Sequence, residues 1–186
     1  MNATRLAGLA ALLVPALLAA QMPSAAPAPA PAPSANPVSD AARRMHTRYS
    51  NFLNAAAEQV PADKLGYKPT DVQMTFGKIW AHLVEANYGI CGAIGGAPAA
   101  NVPKLEGTEA KDVLVNALKG SFTFCDGVLA KLTDARMGGV ADMGFMKGST
   151  ALALDIYLLD LADHYSQVAN YMRLNGMVPP SAQPRK

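Results

Sequence analysis

The sequence predicts an all-α protein whose folded part is a four-helix bundle. Four segments carry apolar residues at helical spacing, and each segment ends at glycine, proline or a run of turn-forming residues. No stretch alternates apolar and polar residues for long enough to predict a strand, and the sequence contains no internal repeat. Helical segments of about 20–25 residues joined by short to medium connections are typical of bundles.

The first twenty residues predict a secretory signal peptide, residues 1–20, which is separate from the fold. Arg5 gives a weakly positive start, residues 6–18 are apolar, and Ala19 and Ala20 offer small side chains for cleavage. An uncleaved anchor is the alternative, but Pro15 interrupts an apolar run that is already short for a membrane span. We therefore expect a periplasmic or secreted protein that does not contact the membrane after cleavage.

Residues 21–38 predict a disordered linker rich in proline and alanine. Proline blocks helical hydrogen bonds and favours extended conformations, so this tract cannot contribute to a core. The bundle is expected over residues 39–181, followed by a short tail at 182–186. This length is sufficient for one domain with a single core.

The first predicted helix begins at Ser39, a suitable N-cap, and ends at Gln59. Its predicted apolar stripe consists of Met45, Tyr49, Phe52, Leu53 and Ala56. The second helix begins at Thr70 or Thr75, either of which suits an N-cap, and ends near Ile94. Its predicted buried face consists of Phe76, Ile79, Trp80, Leu83, Val84 and Ile90.

The third predicted helix begins after Thr108 and ends near Leu132. Its predicted core residues are Val113, Leu114, Leu118, Phe122, Cys125, Leu129 and Leu132. The glycine-rich segment that follows, between Arg136 and Ser149, predicts a loop. The fourth helix extends from Ser149 or Thr150 to Asn175, where the Asn-Gly pair and two prolines predict a C-cap and a stop.

The net charge and the cysteine pattern argue against nucleic-acid binding, CxxC redox activity and covalent haem attachment. The net charge of +2 falls to +1 once Arg5 leaves with the signal peptide, so no nucleic-acid partner is expected. Cys91 and Cys125 form neither a CxxC redox motif nor a CxxCH haem motif. Export would permit a disulfide between them, but two buried thiols fit the helical pattern equally well. The composition leaves the oligomeric state open and is compatible with a homodimer.

Three polar residues stand out within apolar helices: His82 in the second helix, and Asp160 and His164 in the fourth. Asp160 and His164 are four residues apart, so their side chains leave the same face of the helix. Burial of such groups without partners is unfavourable by several kcal/mol, about 2–7 for a neutral polar group. Three such side chains from two helices suit a divalent metal, whereas a buried Asp–His hydrogen bond with His82 satisfied separately is the alternative.

His46 is the third histidine of the chain, and its surroundings in the sequence are basic. It lies between Arg44 and Arg48 in a stretch that looks solvated. We therefore expect a surface histidine with no role as a ligand.

Three segments of the chain resemble the DinB family of four-helix bundles over roughly residues 45–181. They are LGYKPTDVQMTFGKIWAHLVEANYGICG, LKGSFTFCDGVLAKLTD and the terminal DHYSQVANYMRLNGMVPPSA, of which the last is the most specific. In that family a histidine of helix two and two histidines of helix four, spaced i, i+4, usually hold a divalent metal. The resemblance implies His82 and His164 as ligands and places Asp160 where the family usually has histidine.

This departure from the family pattern leaves two interpretations of the site. Aspartate is a competent ligand for zinc, nickel, iron or manganese, so the site is either preserved in a harder, more negative form or lost. Tyr165, Gln167 and Asp163 are either outer-shell partners of such a site or polar residues of the outer face. The glycine-rich loop around residues 143–147 is placed to cover its open end.

Two functions follow as competing expectations. The first is an exported metal-dependent enzyme, a thiol transferase or a hydrolase, acting on a small-molecule substrate of unknown identity. The resemblance suggests a thiol, although the thiol cofactors of the family are cytosolic. The second is a non-catalytic, envelope- or stress-associated binding module whose metal site is degenerate or absent.

Overall fold

The computed structural model describes residues 33–184, and its four helices confirm the predicted all-α bundle. They are α1 (Pro37–Gln59), α2 (Phe76–Gly95), α3 (Lys111–Leu129) and α4 (Thr150–Leu174). Short 3-10 turns occupy Ala62–Lys64, Asp134–Arg136 and Pro180–Ala182. The predicted signal peptide and most of the linker lie outside the described residues. None of the helices in residues 33–184 is long and apolar enough to cross a membrane.

Side-chain contacts fix the directions of the helices. His82 of α2 meets Asp160 of α4, and Phe76 packs against Tyr171, so these two helices are antiparallel. The α2 and α3 helices are parallel, since a disulfide joins Cys91 to Cys125 and Asn87 donates a hydrogen bond to Ser121. A parallel pair needs a connection that returns along the bundle, and residues 96–110 provide it.

The predicted α2 face is confirmed, because all six of its residues are buried. The N-cap of this helix is Thr75, whose hydroxyl accepts a hydrogen bond from the amide of Lys78 at 3.1 Å. In α3, Val113 is 45% exposed, so its place in the predicted core was wrong. The left-handed turn after α4 falls at Gly176, where φ is 71°.

The predicted apolar stripe of α1 was partly wrong. Leu53 and Ala56 are fully buried, but Met45 is 40% exposed. The helix instead turns His46 and Ser50 toward the core. A polar face can be buried here because His46 has hydrogen-bond partners on two neighbouring helices.

The glycine-rich segment before α4 forms a small antiparallel hairpin where only a loop was predicted. Strand β1 (Val140–Asp142) pairs with β2 (Lys147–Ser149), with Ala141 opposite Gly148. Three-residue strands are too short to produce a readable alternation, which explains why the sequence pattern did not predict them. The turn of this hairpin lies beside the polar cluster described below.

The start of α1 is held by Asp134 from the turn after α3, and not by Ser39 as predicted. The helix begins two residues earlier, at Pro37. The Asp134 carboxylate accepts hydrogen bonds from the amides of Val38 and Ser39 at 3.0 and 2.8 Å and from the Ser39 hydroxyl at 2.7 Å. These donors are the first-turn groups that an N-cap normally satisfies.

We expect Asp134→Asn to lower the stability of the protein at neutral pH more than at acid pH. Desolvation raises the pKa of Asp134, but the hydrogen bonds from Ser39 and Val38 outweigh it, so the pKa lies below its ordinary value of 3.8. A carboxyl whose pKa is depressed on folding contributes stability above its unfolded pKa, and this stability is lost as the pH falls through the folded pKa. Urea unfolding of both proteins at pH 7 and pH 3 measures the difference. Curves that differ equally at the two pH values would contradict this role.

Candidate metal centre

The antiparallel packing of α2 and α4 brings the three singled-out residues together. His82 lies in the second turn of α2, and Asp160 and His164 lie one turn apart in the middle of α4. One ligand atom from each residue lies within 4.8 Å of the ligand atoms of the other two. The structure therefore brings together the three residues that the sequence singled out.

The spacing of these atoms matches ligands around a metal better than strong hydrogen bonds. Nε2 of His82 and Nε2 of His164 each lie 3.3 Å from Oδ1 of Asp160. Tetrahedral ligands at about 2.0–2.2 Å from zinc are separated from one another by about 3.3–3.6 Å. Charge-assisted N–H···O bonds are shorter, at about 2.7–2.9 Å. The geometry of the cluster thus fits a divalent ion.

Electrostatics favour a negative carboxylate between two imidazoles. Burial raises the pKa of Asp160, but hydrogen bonds and charge from His164 and His82 outweigh it and lower the pKa to about 2. The hydrogen bond to Asp160 raises the pKa of His82, although burial of the imidazole opposes this. The Asp160 carboxyl is therefore ionised at neutral pH, as a metal ligand must be.

The cluster opens to solvent on the α2 side. The side chain of His82 is 39% exposed, that of Asp160 20% and that of His164 8%. A cavity of about 370 Å³ is lined by His82 and Asp160 and also by Met143 and Phe145 from the hairpin. The turn of the hairpin therefore lies beside the cluster, and its role as a cover for the site stays a prediction.

Two buried atoms of the cluster have no hydrogen-bond partner among the described residues: Oδ2 of Asp160 and Nδ1 of His164. A metal-bound histidine usually donates its second ring N–H to a carboxylate or carbonyl. The residues predicted as outer-shell candidates do not fill this role. Gln167 donates to Asp163 on the exposed face of α4, and the hydroxyl of Tyr165 accepts from the amide of Ser181.

His46 is buried, contrary to the prediction of a surface histidine. Only 1% of the residue is exposed. Its Nδ1 lies 2.7 Å from the Tyr157 hydroxyl, and its Nε2 lies 2.7 Å from Oδ1 of Asp126. Burial, together with the carboxylates of Asp126 and Asp160, raises the pKa of Tyr157 well above its ordinary value. The Asp126 carboxylate only accepts hydrogen bonds, so Nε2–H donates to it, and in this neutral tautomer Nδ1 accepts from the tyrosine hydroxyl.

Sequence reasoning missed this second polar cluster, which we call the His46 cluster (His46, Asp126 and Tyr157). A signal was present, since His46 is in helical register with Ala42 and Leu53, which are buried. The prediction of an exposed histidine instead followed from the neighbouring Arg44 and Arg48. Glu85, which lines the cavity beside His82, was also missed. It lies three residues after His82 and so shares its helical face.

Comparison with known proteins establishes the fold. No protein-family profile and no curated protein matches the chain. Solved DinB-like proteins do match it: one from Bacillus subtilis has 20% sequence identity and a TM-score of 0.62, covering 78% of this chain and 99% of that one. Another, from Bacillus cereus, has 14% identity and a TM-score of 0.63, covering 76% and 95%.

A mycothiol-dependent maleylpyruvate isomerase also shares the fold, with 11% identity and a TM-score of 0.58. The match covers 70% of this chain and 60% of the isomerase. The chain is therefore a DinB-like four-helix bundle, and the resemblance expected from its sequence is confirmed for the fold. It carries a His/Asp/His cluster where its α2 and α4 helices meet.

Proposed function

We propose that this protein is an exported DinB-like bundle that binds one divalent metal ion through His82, Asp160 and His164 and acts as a metal-dependent enzyme. The observation that carries the proposal is the pair of 3.3 Å separations from Oδ1 of Asp160 to the two imidazole nitrogens. Two neutral imidazoles and one carboxylate suit zinc, nickel, iron or manganese. With three protein ligands, a tetrahedral ion keeps one position for water or substrate.

The chemistry supplied by such an ion is Lewis-acid activation, which lowers the pKa of a bound water or thiol. The residues around the ion would shape the site and transfer protons. His164 and Asp160 fix the buried side of the site, while His82 forms its solvent-facing rim. The Glu85 carboxylate lines the same cavity and is placed to accept a proton there. Phe145 and Met143 restrict the access of water from the hairpin side.

The reaction class we propose is transfer to, or hydrolysis of, a small molecule, with a thiol or water as the nucleophile. The shared fold of the mycothiol-dependent isomerase supports a thiol. Export to the periplasm or beyond is supported by residues 1–20 and by the Cys91–Cys125 disulfide, since disulfides persist in oxidising compartments. Because the thiol cofactors of the family are cytosolic, we infer that the thiol of an exported enzyme belongs to its substrate.

The ligand assignment predicts that His82→Ala and Asp160→Ala each weaken zinc binding by at least about a hundredfold, more than the roughly 10–100-fold loss typical of outer-shell changes. Equilibrium dialysis followed by elemental analysis measures the affinity and the stoichiometry, which should be one ion per chain. Asp163→Ala is the matched control, because it removes an exposed carboxylate from the same helix and should retain full binding.

Two results would overturn the proposal. Either the protein takes up no metal from zinc, nickel, iron and manganese in turn, or the two ligand variants retain full affinity. The first result would support the alternative of a non-catalytic binding module with a degenerate site.

A further inference from the structure

Two cavities meet on the outer face of α2. The cavity of about 370 Å³ beside His82 and Asp160 shares Gly89 and Met143 with a second cavity of about 600 Å³. The second cavity lies further along α2, where residues 97–99 and the hairpin form its other walls. Together they extend the site from the His/Asp/His cluster toward the end of the helix.

No side chain covers the backbone of α2 at Gly89, which lines both cavities. A Cβ atom built on Gly89 meets no atom within 4 Å. Since glycine is unfavourable by about 1 kcal/mol relative to alanine inside a helix, this position is not explained by helix stability. Gly89 therefore adds no side chain to the wall that the two cavities share.

The walls of the two cavities carry no side chain suited to an anionic group. Among the described residues that line them, none is lysine or arginine, whereas Glu85, Asp142 and Asp160 are acidic. Asp142 already pairs with Lys147 at 2.9 Å. Arg136 lines a separate cavity, and its Nη2 lies 3.6 Å from the position of a Cβ atom built on Gly96.

The remaining walls are apolar, and parts of them are unusually exposed. Val140 of the second cavity is 82% exposed, and Phe145 of the first is 70% exposed. Ligand sites are typically lined by apolar side chains with a few polar groups at one end. Here the polar groups are concentrated at the His/Asp/His cluster.

We propose that the substrate consists of a metal-binding head group and an uncharged, elongated apolar body that lies across Gly89 into the second cavity. The inference deepens the proposed function and rests on it for the head group. The apolar body is inferred only from the residues that line the two cavities. A substrate with a carboxylate at its far end is disfavoured, because none of the described residues that line the two cavities is a lysine or arginine that could pair with it.

Hydroxamic acids of increasing length test the inference, because their head group binds zinc and their tails vary. In calorimetric titrations of the zinc-loaded protein, octanohydroxamate should bind at least about a hundredfold more tightly than acetohydroxamate, since each buried methylene contributes about fourfold. Suberic acid monohydroxamate has a terminal carboxylate on a tail of similar length and should bind at least about tenfold more weakly than octanohydroxamate.

Gly89→Leu should abolish the advantage of the long tail over acetohydroxamate. Gly127→Leu is the matched control: it adds the same side chain at another open helical glycine, on α3, and should behave as wild type. Equal affinity for short and long tails, tighter binding of the terminal acid, or an undiminished long-tail advantage in Gly89→Leu would each overturn the inference.

Zinc content measured before each titration separates this inference from the proposed function. If the protein holds no zinc, the proposed function fails, and the cavities are tested on the metal-free protein with 1-octanol and ethanol. NMR shifts of the Gly89 and Met143 amides should then respond to 1-octanol at concentrations where ethanol has no effect. Absence of this response would overturn the inference independently of the metal.

Discussion

Reduction of the Cys91–Cys125 disulfide is expected to lower the free energy of unfolding by about 4 kcal/mol, the loop-closure value for a bridge of this span. The two cysteines are 34 residues apart and connect α2 to the parallel helix α3. Opening the bridge frees the unfolded chain to adopt many more conformations, whereas both sulfur atoms remain buried in the folded protein. Urea unfolding with and without reductant measures the change.

A Cys91→Ala/Cys125→Ala variant separates the effect of the crosslink from that of the reductant. It should be less stable than the oxidised protein and should not respond to reductant. If mass spectrometry shows complete reduction of the wild-type protein while its urea midpoint is unchanged, the bridge does not contribute to stability.

His46→Ala is expected to lower the free energy of unfolding by about 4 kcal/mol, comparable with the loss of a buried aromatic ring and one orphaned polar partner. The imidazole is buried against the rings of Phe122 and Tyr157. Its removal leaves a cavity and leaves the buried Tyr157 hydroxyl without the 2.7 Å hydrogen bond to Nδ1. Urea or thermal unfolding of the purified domain measures the loss.

Two further variants show whether the hydrogen bonds of the His46 cluster or its volume dominate. Tyr157→Phe removes only the hydroxyl and should lower stability by about 1–2 kcal/mol. Arg44→Ala, at an exposed position of the same helix, should change it by less than about 0.5 kcal/mol. A loss below about 1 kcal/mol for His46→Ala would mean that the cluster is not a determinant of helix packing.

Hydrophobic periodicity predicted the four helices because each buries a broad apolar face. The α2 face is the clearest example, since its large residues leave only one orientation that removes them from water. For α1 the periodicity predicted the helix but not the face that is buried. There Met45 faces solvent while His46 lies in the core, because partners on α3 and α4 satisfy the imidazole. A single sequence does not reveal such partners.

The polar cluster of α2 and α4 was predictable for a different reason. Asp160 and His164 share a helical face, and His82 stood out as a polar residue of another apolar helix, which the resemblance to the DinB family assigns to the same site. The small hairpin was beyond prediction because three-residue strands carry no periodicity. The sequence also left the pairing of the cysteines open, since it depends on the parallel alignment of α2 and α3.

The central claim is that His82, Asp160 and His164 together hold one divalent ion, and anomalous diffraction tests it most directly. Crystals of the protein equilibrated with zinc should show an anomalous peak at the zinc absorption edge between α2 and α4. Its distances to one nitrogen of each histidine and to an oxygen of Asp160 should be about 2.0–2.2 Å. A peak bound by fewer than all three residues, or anomalous density only at surface carboxylates, would contradict the claim.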